Sequence, residues 1–160
     1  MKWLNTRTPD ILLGLTATPE RHDGKNILDD FGGVIAAELR LPEAITQKHL
    51  CPFHYFGIDD DTDLRNISWN KGGYDIAQLT NLYTSNQSRV SKILRSLEDI
   101  ITDVGSMKAL AFCVSQEHAE YMTQQFLLKG IKADILTSKN SDLRQAKQQA
   151  IRSGQISVLC

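Results

Sequence analysis

The chain has 160 residues, 41% hydrophobic and 23% charged, which is the composition and length of one ordinary globular domain and argues against a disordered chain. A net charge of -1 excludes a protein that coats nucleic acid by bulk charge, so any contact with phosphate must come from locally placed donors. Three widely spaced cysteines, Cys51, Cys113 and Cys160, fit neither a disulfide framework nor a CxxC zinc site and read as reduced thiols. Residues 1–10 carry no apolar run with a cleavage site, and no stretch approaches the roughly 18 apolar residues of a membrane span, so the expected compartment is the cytoplasm.

In chain order, residues 11–15 form a short apolar run ended by Thr16-Ala17-Thr18-Pro19, which predicts a buried parallel strand emptying into a loop. Loops at the carboxyl ends of such strands carry ligands. Gly32-Gly33 punctuates a second apolar stretch at 34–39, and Pro42 opens a helical turn through Lys48. The aromatic-rich residues 51–58 predict another strand, and the polar run 59–73 reads as a linker between two lobes. From Val90, apolar residues at Ile93, Leu94, Leu97, Ile100, Ile101 and Val104 give the stripe of an amphipathic helix ending at Gly105.

Beyond it the pattern alternates. A strand is predicted at 109–114, a helix at 116–129 closed by Gly130, a strand at 131–136, a helix at 142–153 closed by Gly154, and a further strand from Ile156. This is a parallel α/β unit whose right-handed crossovers bring the loops to one edge. Ending at Val158-Leu159-Cys160, inside a strand, suggests truncation. It also predicts an exposed edge on the strand from Ile156, with self-association through it.

The segment Leu13-Gly14-Leu15-Thr16-Ala17-Thr18-Pro19-Glu20-Arg21 closely resembles motif III of superfamily 2 helicases, in the form found in restriction-enzyme motor subunits. Residues 109–115, Ala-Leu-Ala-Phe-Cys-Val-Ser, followed by a helix bearing His118, Ala119 and Glu120, are similar to that family's motif IV, and 156–160 would be the strand leading into motif V. The resemblance looks closest to bacterial multidomain helicases with a nuclease-like domain ahead of the motor. It implies an α/β fragment of two RecA-like parallel-sheet lobes: residues 1–40 as the tail of the first, 41–105 as connector and lead-in helices, and 106–160 as the first half of the second. It further implies a parent that uses ATP and magnesium to move along DNA or RNA, those being the parent's ligands and partners.

In that resemblance Thr16, Ala17, Thr18, Glu20 and Arg21 form the loop coupling ATP to the strand, and the threonine hydroxyls, able to donate and to accept, suit such a relay. Taken alone, Thr16 and Thr18 would simply cap a turn before Pro19, and Glu20 with Arg21 form either a surface pair or a contact between lobes. Ser115, at a strand-to-helix junction, can cap the helix and present its hydroxyl to a phosphate, two roles that coexist. Thr137, Ser138 and Lys139 follow the next strand and are the other candidates for sugar-phosphate contact, while Arg144 reads as a structural helix residue.

A motor also needs a glycine-rich phosphate cradle, a metal-binding carboxylate pair and an arginine from across the lobe interface, and none of the three is in this sequence. Gly24-Lys25 is a decoy, since Pro19 stands where the first glycine belongs and Asn26 where Ser or Thr belongs. The acidic run 59–63 lacks the calcium-loop glycine, Leu64 standing there, and the closing glutamate, Asn70 standing there, so it reads as a solvated turn. His118 and Glu120, two apart on a helix, read as surface polar residues rather than metal ligands. The expectation is therefore a helicase fragment with no complete catalytic set and no metal site, inactive by itself. The alternative is a noncatalytic nucleic-acid-binding or interaction module derived from a helicase.

Overall fold

A computed structural model describes residues 10–17, 19, 27–70 and 72–160. The chain divides into two compact units, Met1–Tyr55 and Phe56–Cys160. No helix among the described residues is long and apolar enough to cross a membrane.

Among its described residues the first unit holds a 3-10 turn, Ile27–Phe31, and one short helix, α1, Leu41–Thr46. Pro42 sits in the first turn of α1, where its missing N–H costs nothing, and Ala44 is its buried residue. The predicted strand at 11–15 is not formed: these residues are irregular, with Ile11 86% and Leu15 90% exposed. The apolar stretch at 34–39 and the aromatic run at 51–58 are likewise without regular structure. A short apolar run becomes a strand only when neighbours accept its ladder bonds, and no described strand lies beside any of these three. Gly14 does have a local role, since a Cβ there would stand 2.5 Å from the ring of Phe31.

The second unit opens with the polar run expected to be a linker. Instead it is tied to a helix: Asp60 ion-pairs with Arg89, and Thr62 accepts from Asn86 Nδ2 at 3.4 Å. A small antiparallel hairpin follows, β1 Trp69–Asn70 with β2 Gly73–Tyr74, its Trp69 and Tyr74 rings meeting edge to face at 4.8 Å. Helix α2, Ile76–Thr84, is not among the predicted elements; it starts at Asp75, whose carboxylate accepts from Gln78 N–H at 2.9 Å. Helix α3, Gln87–Ile100, is capped in the same way by Asn86. It stops before Gly105 because Asp103 forms its own turn, accepting from the N–H groups of Gly105 and Ser106 at 3.0 and 3.2 Å.

The remainder is mixed α/β with a parallel three-stranded sheet, as the alternation predicted. Strand β3 (Ala109–Leu110) leads to α4 (Gln116–Leu128), β4 (Ala133–Asp134), a 3-10 segment (Ser138–Leu143), α5 (Arg144–Ser153) and β5 (Val158–Leu159). The strand order is β3-β5-β4, all parallel. The strand from Ile156 therefore has a neighbour on both sides, contrary to expectation, and β3 and β4 are the edges. Ladder bonds run past the two-residue strands: Ala111 N–H to the Leu159 carbonyl and Cys160 N–H to the Asp134 carbonyl, both at 2.9 Å.

Alternation along the strands assigns the two faces. Val158 joins Val90, Met122, Phe126 and Ile131 in the buried core on the α4 side. Leu159, in register with Leu110 and Asp134, faces the α5 side, where Lys147 of α5 bonds Asp134 at 2.7 Å.

Candidate nucleic-acid interface

The carboxyl ends of β3 and β4 each feed a hydroxyl that starts the next helical segment. After β3 the chain reaches Ser115, which is extended at φ -152° and accepts from His118 N–H at 3.1 Å. After β4 it reaches Thr137, whose hydroxyl accepts from Lys139 N–H while Asn140 closes the reciprocal bond to Thr137 N–H at 2.7 Å, a capping box. A side-chain bridge joins the two loops, Gln116 Nε2 donating to Ser138 Oγ at 2.7 Å. Ser115 Oγ lies 2.8 Å from Thr80 Oγ1, which ties the junction to α2.

Below these loops lies an open groove of about 800 Å³. Its floor is the α5-facing side of β3 and β5, and its walls include Ser115, Gln116, Thr137 and Ser138 on one side and α5 on the other. Three cations line it, Lys108, Arg144 and Arg152, and no aspartate or glutamate does. Lys108 Nζ donates to the Arg152 carbonyl at 2.7 Å, which fixes one corner. Neither arginine forms an ion pair among the described residues. Accessible hydroxyls beside guanidinium groups without an ion-pair partner make a surface suited to a polyanion.

Cys113 and Cys160 border the groove, but both pack against the core on the α4 side, each partly buried. Hydrogen bonding from Cys113 holds the Cys160 thiol down at about 7, against the opposing effects of burial and the Asp134 charge, with Thr123 assisting. Cys113 is correspondingly pushed up, by that interaction and by burial. Behind the groove His118 is buried, which corrects the surface position expected for it, while Glu120 is exposed. His118 sits at the third position of α4 on the same stripe as Ala119, Met122 and Phe126, so the helix turns it inward. Its pKa is lowered by burial and then by the nearby Arg89 charge.

Of the sequence-predicted residues, Ser115, Thr137 and Ser138 are brought together on this groove, and Lys139 lies beside it, exposed but outside the lining. Thr16 and Ala17 belong to the first unit, in an exposed irregular segment, and Thr18, Glu20 and Arg21 lie outside the described residues. Arg144, expected to be structural, stands in the groove wall with Lys108 and Arg152. The signal for these was present: Arg144, Gln148, Ile151 and Arg152 share one helical stripe, and Lys108, Leu110 and Phe112 alternate onto one strand face. In comparisons with protein-family models, curated proteins and solved structures, nothing matches the chain.

Proposed function

We propose that the chain is part of an ATP-dependent helicase or translocase, carrying its coupling loop and a groove that holds the nucleic-acid backbone. The observation that carries this reading is the groove: three cations, hydroxyls and no aspartate or glutamate, on a chain whose net charge is -1. The motif III resemblance at residues 13–21 and the parallel strand order add support, the sheet then being part of a RecA-like second lobe. In this reading Arg144 and Arg152 neutralise phosphates, and the hydroxyls of Ser115, Thr137 and Ser138 set the register of the strand without reading its sequence. ATP and magnesium act in the parent protein, through residues this sequence does not contain.

The direct test is anisotropy of a labelled oligothymidine titrated with the chain across a salt series, beside the double variant Arg144→Ala/Arg152→Ala. Two lost phosphate contacts on a single strand lower the log-log salt slope by roughly 1.4 and weaken binding about tenfold or more. An unchanged slope in the variant rules the groove out as the phosphate site. A noncatalytic binding module has one observation in its favour, that every groove residue lies within 108–160 and needs no nucleotide site. Strand-stimulated ATP hydrolysis by a longer reading frame containing this chain separates the motor from the module; a longer frame that binds the strand without hydrolysing ATP leaves the module.

A further inference from the structure

We propose that the groove takes unpaired rather than duplex nucleic acid, and that Phe112 is the platform on which one of its bases stacks. This rests on the reading of the groove as a nucleic-acid site and goes beyond it to the form of the strand and to a specific residue.

The argument begins with an uncovered ring. Alternation places Phe112 on the same face of the sheet as Leu110 and Leu159. Helix α5 covers Leu159, which is only 6% exposed, but leaves Leu110 62% and Phe112 94% exposed. Both line the groove. Phenylalanine has no polar tip to justify full hydration, and leaving such a ring in water forgoes roughly 1.5–3 kcal/mol of burial.

The occupant that covers it must also satisfy what surrounds it. Lys108, Arg144 and Arg152, with no Asp or Glu among the lining residues, favour an anion, which a purely apolar ligand does not supply. A phosphate alone would leave the ring bare. A nucleotide strand carries both features, a flat aromatic face and a regularly spaced negative charge, and their pairing on the protein side is how single strands are held without sequence preference. Chain geometry places the two functions within reach of one strand: Phe112 and Ser115 are three residues apart, their Cα atoms at most about 11 Å from each other even fully extended. Duplex nucleic acid offers base edges in its grooves but no free base face, so a ring in this position selects unpaired bases.

The test uses the whole chain and three probes of equal length: oligothymidine, an abasic deoxyribose-phosphate oligomer and a duplex. Wild type should bind oligothymidine more tightly than either of the others. Phe112→Ala should weaken oligothymidine by roughly 5- to 150-fold and leave the abasic oligomer unchanged, the span that stacking losses cover. Phe112→Trp should restore binding, and the added indole emission should be quenched by oligothymidine and not by the abasic oligomer. Because the ring touches so little, the unfolding midpoint of Phe112→Ala should match wild type. Equal losses on both oligomers, no loss on either, or tighter binding of duplex would overturn the stacking role. In those cases, retained sensitivity to Arg144→Ala/Arg152→Ala leaves the groove reading standing. No binding of any probe by wild type would overturn both.

Discussion

His118 is buried on the inner side of α4, with its Nδ1 3.4 Å from the Val114 N–H that donates to it and its ring centroid 5.3 Å from that of Tyr83. Tyr83 in turn carries the Arg89 guanidinium 4.4 Å over its ring. A second positive charge here would lose its hydration and face Arg89, and both effects lower the folded-state pKa below the ordinary value near 6.5. The unfolded chain then binds the proton that the folded chain refuses, so stability is complete above about pH 6.5 and falls as pH drops from there through the folded value. Urea unfolding between pH 7.5 and 5.5 should therefore give a free energy that declines with acidity, by at most about 1.4 kcal/mol per pH unit from this group. In His118→Leu the decline over that window should flatten, whatever the variant's overall stability. An identical slope in the variant would assign the effect to another group. The inward turn of His118 is legible in the stripe it shares with Met122 and Phe126, whereas its spacing from Glu120 says only that the two do not share a metal.

At the level of elements, three of the helices, α3, α4 and α5, are readable from local signals, whereas α2 is not among the predicted elements although its cap, Asp75, is in the sequence. Asp75, Asn86 and Ser115 all cap with a side-chain oxygen, and Gly154 closes α5 at φ 77°, a left-handed position that glycine takes without strain. Strands were less readable, since an apolar run at 11–15 or 51–58 has the same composition whether or not a neighbour pairs with it. Ser115 belongs to both categories, a cap and a groove hydroxyl, and a substitution can separate them. Aspartate caps a helix about as well as serine, so Ser115→Asp should keep the thermal midpoint close to wild type, whereas Ser115→Ala should cost about 1 kcal/mol. A carboxylate in the groove repels phosphate, so Ser115→Asp should weaken oligothymidine binding more than Ser115→Ala does. The reverse order of affinities would mean that Ser115 serves the helix alone.

For the molecule as a whole, the net charge of -1 concealed the groove, because bulk charge averages over a surface on which three cations gather at one sheet edge. Chain topology produces that gathering: β5 inserts between β3 and β4, so Lys108 before β3 and Arg144 and Arg152 on α5 arrive at one face from distant parts of the sequence. Every groove residue thus lies in the unit Phe56–Cys160, with a hydrophobic core of its own centred on Val90, Met122, Phe126, Ile131 and Val158. Just at its start the chain is irregular, and Phe53, Tyr55 and Phe56 are 62%, 87% and 57% exposed. Exposed aromatic side chains on an irregular segment are the natural target of chymotrypsin, since a protease must draw an extended segment into its site. Brief digestion, followed by mass spectrometry, should yield a resistant product beginning within 54–57 and running to Cys160. That product should retain the salt-dependent affinity for oligothymidine and its loss in Arg144→Ala/Arg152→Ala. A resistant product that holds its helical circular dichroism but no longer binds would mean that residues 1–55 contribute to the strand contact, and the groove could not then be the whole of the site.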